Sequence, residues 1–205
     1  MLSSDAIVDW HDRWTRAWHE ASELGAHAHS NGGGEREWLD CLARQHRANF
    51  DLWHIEDEAR CPGATDADVA DVKRRIDKTN QQRNDLAEEI DRRLLEWLGA
   101  RGLPEAEAPL NSESPGLMID RLSILALKIF HTREEAEREG APAGHAERNK
   151  GRLAILEEQR GDLASCLDKL WSETLAGTRR FKLYRQLKMY NDPSLNPAIY
   201  SKKTE

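Results

Sequence analysis

Residues 119–131 read IDRLSILALKIFH, and this stretch decides the fold class. Placed on a helix, its apolar side chains point in nearly every direction, and a helix that is apolar all round is buried among other elements. Ser114 and Pro115 mark where this helix begins, because serine is a preferred N-cap and proline a preferred first helical residue. We therefore expect a buried helix from Pro115 to about Glu139.

Helical periodicity extends over most of the remaining chain. Apolar residues recur at steps of three or four, and turns rich in glycine and proline separate the runs. Thr65 and Asp68 are spaced as in a capping box, which predicts the start of a helix. The other segments expected to be helical are 7–24, 35–60, 66–98 and 145–176, followed by a short basic helix from residue 178. The sequence thus predicts an all-α bundle of antiparallel long helices.

We expect the 205 residues to form a single helical domain, 1–205. Its predicted parts are an N-terminal helix, a first hairpin (35–98), a second hairpin (114–176), and a basic arm and tail (178–205). The two hairpins look related, since the Asn-x-x-Arg pattern at Asn80 recurs at Asn149. This recurrence predicts an internal duplication.

Charge and composition exclude several classes of function. The net charge is −7 at pH 7, which disfavours nucleic-acid binding because phosphate neutralisation needs a basic surface. No apolar run approaches the roughly 20 residues that a membrane-spanning helix needs, and the first residues lack the pattern of a signal peptide. The three cysteines form no Cys-x-x-Cys pair and are expected to be reduced thiols. We expect a soluble, cytoplasmic protein with no nucleic-acid partner and no membrane span.

Polar residues interrupt the apolar faces of the predicted helices. Asp120 and His131 lie near one stripe of the buried helix, and His54 and Asp57 share the second helix. An unpaired charge in such a place is costly, so these groups must be paired or must line a wet cavity. Salt bridges that fix the helix register are one interpretation, with Asp120 paired to Arg83 or Arg160. A polar pocket is the other, and its candidate catalytic residues are His54, Asp57, Asp120 and His131.

Further charged and amide residues are candidates for ligand binding. Five cations lie between Arg179 and Lys188 in a stretch without acidic residues, and arginine suits bidentate contacts with phosphate. We expect this basic arm to recognise an anionic ligand, with packing on the acidic body as the alternative. The candidate ligand-binding residues are Glu56, Asn80, Arg83, Arg121, Lys128, Arg160, Arg179, Arg185 and Lys188.

Histidine spacing argues against a metal centre. A four-helix carboxylate site needs Glu-x-x-His on two helices, and the chain contains no such motif. His19, His27 and His29 fall close together, but the glycine-rich stretch around the last two is typical of a flexible connection. His54, Asp57 and His131 are the alternative ligand set. We therefore expect no metal and no cofactor.

Several stretches resemble a bacterial family of unknown function, DUF4254. They include NFDLWHIEDEAR (49–60), KRRIDKTNQQRNDLAEEID (73–91), LNSESPGLMIDRLSILALKIFH (110–131), LEEQRGDL (156–163) and YRQLKMYNDPSLNP (184–197). The resemblance implies an all-helical fold and a bacterial cytoplasmic protein, but no established activity. It also suggests a connection with cell-surface glycan biosynthesis, through glycosyltransferase genes that neighbour genes of the family.

Two classes of function follow from these observations. The first is a helical ligand- or partner-binding module, expected to be a homodimer, that serves surface-glycan biosynthesis with a glycosyltransferase or an anionic small molecule as partner. The second is a small enzyme acting on a phosphorylated or glycosyl substrate through an Asp/His/Arg pocket between the hairpins. The enzyme requires His54, Asp57, Asp120 and His131 to converge on one open cleft. The binding module predicts that these groups are sealed by salt bridges.

Overall fold

Five α-helices account for most of the chain in the computed structural model, which describes residues 3–20, 33–187 and 194–195. They are α1 (Ser4–Glu20), α2 (Gly33–Glu58), α3 (Asp66–Gly99), α4 (Pro115–Glu137) and α5 (His145–Leu175). The predicted all-α class is confirmed. The predicted end of the first helix, near Leu24, lies outside the described residues. None of the five helices is long and apolar enough to cross a membrane.

The helices form a bundle in which α1, α2 and α4 run in one direction and α3 and α5 in the other. Thr15 of α1 contacts His46 of α2, and that histidine contacts Ser123 of α4. Ion pairs connect the helices that run antiparallel to each other. Glu58–Arg75 and Glu37–Arg93 join α2 to α3, and Arg133–Glu157 joins α4 to α5. Asp12–Arg160 joins α1 to α5. Each predicted hairpin is therefore an antiparallel helix pair.

The central helix is α4, which packs against all four other helices. This arrangement explains its all-round apolar character, as the stretch at 119–131 predicts. Ile119 and Leu122 of α4 are completely buried. They belong to a core that also contains Ile7, Leu42, Ile90, Leu98, Leu167, Trp171 and Phe181.

The N-termini of α3 and α4 are capped by different interactions. The Thr65–Asp68 capping box is confirmed: the Asp68 backbone N–H donates to Thr65 Oγ1 at 3.2 Å, and the Thr65 N–H donates to Asp68 Oδ2 at 2.9 Å. Ser114 occupies the N-cap position of α4, but its hydroxyl donates to Asp91 of α3 and makes no cap bond of its own. Asp91 Oδ1 also accepts the Gly116 N–H at 2.6 Å. The start of α4 is therefore capped by a carboxylate from a neighbouring helix.

The predicted C-terminal basic helix is wrong for residues 178–187, which contain no helix. The Arg180 N–H donates to Pro109 O at 3.1 Å, and the Asn111 N–H donates to Arg180 O at 2.7 Å, so the arm pairs with the loop before α4. Phe181 anchors it and is only 2% exposed. These bonds satisfy backbone groups that a helix would have satisfied locally. Lys188 lies outside the described residues.

Gly116 permits the close approach of α3 to α4, and this contact yields a stability prediction. A Cβ at residue 116 would overlap Ala87 O and would lie 2.9 Å from Asp91 Cγ. We expect Gly116→Ala to lower the free energy of unfolding by about 1–3 kcal/mol, the usual cost of overpacking. Urea titration followed by circular dichroism measures it.

Gly151, in the second turn of α5, is the matched control because a Cβ there meets nothing within 4 Å. Gly151→Ala should raise the free energy of unfolding by roughly 0.5–1 kcal/mol, since alanine is the better helix former. Equal effects of the two substitutions would contradict the close approach of α3 to α4.

Candidate functional site

A group of buried polar side chains runs through the interface of α1, α2 and α4. All six are at most 8% exposed. We call this group the polar seam, and its members are Thr15, Gln45, His46, Asn49, Asp120 and Ser123. Buried polar groups are costly unless they are hydrogen-bonded, so their mutual contacts decide whether the seam is stable.

Hydroxyl and amide groups link the three helices within the seam. His46 Nε2 lies 2.9 Å from Thr15 Oγ1, and His46 Nδ1 lies 2.7 Å from Ser123 Oγ. Asn49 Nδ2 donates to the same Ser123 hydroxyl at 2.9 Å. One histidine of α2 is thus held between hydroxyls of α1 and α4, in a continuous chain of hydrogen bonds.

Asp120 is the only acidic member of the seam, and two amide donors and the Arg83 guanidinium lie beside one of its oxygens. Its Oδ1 accepts from Gln45 Nε2 at 2.7 Å and from Asn49 Nδ2 at 2.9 Å, and Arg83 Nε lies 3.5 Å from it. Burial raises the pKa of Asp120, while Arg83 and the two amides oppose that shift. The predicted partnership with Arg83 is confirmed. Arg160 instead contacts both carboxylate oxygens of Asp12 at 2.9 Å.

His11 extends the seam without a hydrogen bond. Its ring stacks on His46, with centroids 4.5 Å apart and planes 20° apart, and neither ring nitrogen has a hydrogen-bond partner in the described part of the chain. Burial, and secondarily the charge of Arg160, lowers the pKa of His11 to about 3. Burial and the neighbouring His11 also lower the pKa of His46 well below its usual value. Both rings are therefore neutral at neutral pH.

Three further histidines meet beyond the seam, and we call them the histidine cluster: His19 of α1, His54 of α2 and His131 of α4. One ligand atom from each lies within 4.8 Å of the other two. His19 Nδ1 donates to Thr15 O at 2.7 Å, and His131 Nδ1 donates to Glu134 Oε2 at 2.8 Å. The cluster brings together the chemistry of metal ligands and of acid–base catalysts.

The four candidate catalytic residues do not converge on one open cleft. His54 and His131 are together in the histidine cluster, whereas Asp120 lies eleven residues before His131, about 16 Å away along α4. Asp57 is exposed and contacts Arg60 at 3.4 Å.

His19 is the cluster member that the sequence interpretation assigned to no site. A signal for it exists, because His11, Thr15 and His19 recur at steps of four on one face of α1.

Most candidate ligand-binding residues already have protein partners. Arg83 and Arg160 have those described above, Arg121 donates to both oxygens of Glu113 at 2.8 and 2.9 Å, and Glu56 pairs with Arg60 on its own helix. Asn80 is partly buried on α3. In the basic arm, Arg179 pairs with Glu173 at 3.0 Å, whereas Arg185 is exposed.

A groove of about 620 Å³ lies between α4 and α5, and we call it the α4–α5 groove. Two of the candidate residues, Arg121 and Lys128, line it together with apolar Ile124, Leu125 and Leu163. A larger hollow of about 1010 Å³ beside α3 is lined almost wholly by charged and amide side chains. Of these two hollows, the α4–α5 groove has the more apolar lining beside its cations, although Glu113 and Asp162 also line it, so it is the better candidate for ligand recognition.

The fold and the seam define a helical-bundle protein whose central helix carries a buried polar network. Residues 39–183 match the family model described as "Protein of unknown function (DUF4254)", and the chain belongs to that family. Comparisons with curated proteins and with solved structures give no match. The matched residues include α3 and α4 but not α1, which contributes His11, Thr15 and His19.

Removing the Asp120 carboxylate tests the polar seam. We expect Asp120→Ala to lower the free energy of unfolding by about 3–5 kcal/mol, because two buried amide donors and the Arg83 charge lose their acceptor. Asp120→Asn should cost less, since its carbonyl oxygen can still accept both amide bonds. The exposed Asp40→Ala is the control and should stay within about 0.5 kcal/mol of wild type in urea titrations. A midpoint of Asp120→Ala at the wild-type value would rule out the seam.

Acid should destabilise the fold through His11. In the unfolded chain a histidine takes up a proton near pH 6.5, whereas folded His11 stays neutral down to about 3. Between these two pKa values the unfolded state therefore binds more protons than the folded state. As the pH falls through this range, the free energy of unfolding decreases by about 1.4 kcal/mol per pH unit for each such histidine. We expect the free energy of unfolding of His11→Leu to fall less steeply between about pH 6 and 4 than that of wild type. Parallel pH profiles would contradict the buried, neutral His11.

Proposed function

We propose that this protein is a non-catalytic helical binding protein that holds a phosphorylated, apolar-tailed ligand in the α4–α5 groove. Two grounds lead to this class of ligand. The groove is lined by cations and apolar side chains, and the predicted role in surface-glycan biosynthesis involves sugar phosphates carried on an apolar group. The homodimer and the glycosyltransferase partner stay predictions from the sequence.

The incomplete burial of α4 is the observation that carries the proposal. This helix is apolar on nearly every side and packs on all four other helices. On the side that faces α5, Ile124 and Leu125 stay partly exposed where the α4–α5 groove passes. Burying them against an apolar ligand group would remove this surface from water.

Two cations on α4 flank these apolar side chains. Lys128 is exposed and places an ammonium group at the groove, one helical turn after Ile124. Arg121, one turn earlier, is held by Glu113. A phosphate group can pair with Lys128 directly and can compete with Glu113 for the Arg121 guanidinium. The spacing suits a ligand whose anionic group lies beside its apolar part.

Asp120 supports a binding role over the rival enzyme. An acid–base catalyst must reach the proton it transfers. Asp120 Oδ1 already accepts two amide hydrogen bonds, and the residue is 8% exposed. The enzyme hypothesis also needs Asp120 beside His54 and His131, from which it is separated along α4. The polar seam is better suited to fixing the helix register.

Fewer cations of the basic arm are available for an anionic partner than its charge suggests. Arg179 is engaged by Glu173, and Arg180 Nε donates to Ala108 O at 2.7 Å. Lys182 and Arg185 are the exposed cations of the described part of the arm. Recognition of an anionic partner by the arm stays a prediction, and it now rests on these two residues.

Binding of octyl phosphate, measured by isothermal titration calorimetry, tests the proposal. We expect Lys128→Ala to weaken binding by roughly tenfold, because a charge-assisted contact contributes about 1.5–3 kcal/mol. Raising the salt concentration should weaken binding to the wild type. Lys150→Ala is the control, because it removes another exposed cation, on α5, and it should bind octyl phosphate as the wild type does.

Two further probes separate the parts of the proposed ligand. Octyl glucoside supplies the apolar group without the charge, and glucose 1-phosphate supplies the charge without the apolar group. We expect both to bind more weakly than octyl phosphate. Equal binding of octyl glucoside, or equal loss in Lys128→Ala and Lys150→Ala, would contradict specific recognition in the groove.

A further inference from the structure

The histidine cluster carries an inference that goes beyond ligand binding in the α4–α5 groove. Its rings come from three helices, with centroids 5.2 Å apart for His19 and His54, 4.9 Å for His19 and His131, and 5.9 Å for His54 and His131. The ring planes cross at 64°, 76° and 81°, so the three rings are not stacked on one another. One ligand atom of each ring lies within 4.8 Å of the ligand atoms of the other two.

Hydrogen bonds at two of the rings fix which nitrogen carries the hydrogen when the ring is neutral. A carbonyl and a carboxylate oxygen only accept, so His19 Nδ1 and His131 Nδ1 carry the hydrogens that reach Thr15 O and Glu134 Oε2. The neutral rings then hold their lone pairs on Nε2. Metal-ligating histidines commonly show this pattern, in which an outer oxygen orients the ring.

His54 and His131 each bury an Nε2 atom that lacks a hydrogen-bond partner in the described part of the chain. Native structures rarely leave such atoms unsatisfied, and an unseen ion is one of the explanations for them. Two such nitrogens lie in one cluster, and their rings share it with a third histidine. This arrangement points to one ion bound by all three rings.

Aromatic packing holds the rings in place. His131 stacks on Trp53 with centroids 4.9 Å apart and planes 9° apart, and His19 stacks on Phe130 with centroids 4.3 Å apart. Phe50 packs edge-on against His19 and His54. Rings fixed by packing pay little entropy on binding an ion, which is the basis of a preorganised site.

The electrostatic surroundings suit a cation. Burial lowers the pKa of His54 and of His131, so both rings are neutral and able to act as ligands at neutral pH. The Asp57 carboxylate opposes this shift at both histidines, which places its negative charge near the two rings. Asp57 follows His54 by three residues on α2 and is exposed.

We propose that His19, His54 and His131 bind one divalent transition-metal ion, Zn²⁺ by preference, through one ring nitrogen each. Imidazole nitrogens favour Zn²⁺ and its neighbours over Mg²⁺ and Ca²⁺, which prefer oxygen. A tetrahedral ion about 2.0–2.1 Å from each nitrogen holds the nitrogens roughly 3.3 Å apart. The ligand atoms lie within 4.8 Å of one another, so a contraction of at most about 1.5 Å forms the site.

This proposal replaces the expectation of no metal, which considered His54 and His131 without His19. That expectation counted carboxylate motifs of the Glu-x-x-His type, and a three-histidine site needs none. His19 supplies the missing ligand from a helix outside the residues matched to the family.

Metal titration of the untagged, chelator-treated full chain tests the site. Zn²⁺ is added in a calorimeter, and Co²⁺ is added in a spectrophotometer, because tetrahedral Co²⁺ gives strong visible absorption. We expect one ion per chain, and a higher Tm with Zn²⁺ present because the ion binds the folded state. His54→Ala and His131→Ala should lose both signals, whereas His145→Ala, which removes a histidine outside the cluster at the start of α5, should keep them.

Glu134→Gln keeps the test decisive if the histidine variants fold poorly. Glu134 is largely exposed, so its replacement should leave the fold intact, and loss of the outer carboxylate should weaken Zn²⁺ binding by about 10–100-fold. Absence of saturable binding at micromolar Zn²⁺ in wild type would overturn the proposal. So would binding that is unchanged in His54→Ala, His131→Ala and Glu134→Gln. Neither outcome bears on octyl phosphate binding in the groove.

Discussion

The structure depends on the burial of α4 among four other helices, because every polar group on its inner faces must then find a partner within the protein. Asp120 and Ser123 meet this demand with side chains of α2 and, through His46, of α1. The start of the helix meets it with Asp91 of α3. These bonds require one relative register of the helices, since a shift of one turn would leave several donors and acceptors unpaired.

The same register explains why histidines collect along α1, α2 and α4. These three helices run in one direction, so residues spaced at steps of four on each come level with one another. His11, Thr15 and His19 on α1 face His46, Phe50 and His54 on α2. At one end His46 is hydrogen-bonded to Thr15 and Ser123, while at the other the Nε2 atoms of His54 and His131 lack hydrogen-bond partners in the described part of the chain. One arrangement thus produces a structural network and a candidate metal site.

Local patterns predicted the helices well, and long-range contacts account for what they missed. The stretch at 119–131 predicts a buried helix because its apolar residues leave no polar face, and the Thr65 capping box is complete within four residues. The Asp91 cap could not be predicted in this way, since it joins residues that are distant in sequence. The arm at 178–187 has a helical apolar pattern, yet its backbone pairs with residues 109–111. The sequence also pointed to Arg83 or Arg160 as the partner of Asp120, because a charge on an apolar stripe must be paired or must line a wet cavity, and the structure selects Arg83. It did not reveal His19, whose role depends on the register of three helices.

The coupling between Gln45 and Asp120 tests the central claim most directly. Their hydrogen bond, at 2.7 Å, joins α2 to α4 inside the polar seam. Urea titrations of Gln45→Ala, Asp120→Ala and the double variant give the interaction energy. A buried bond within one network predicts that the double variant is less destabilised than the sum of the single variants, by about 0.5–3 kcal/mol. Additive effects would mean that the two residues do not interact, and that α4 is not held by the seam.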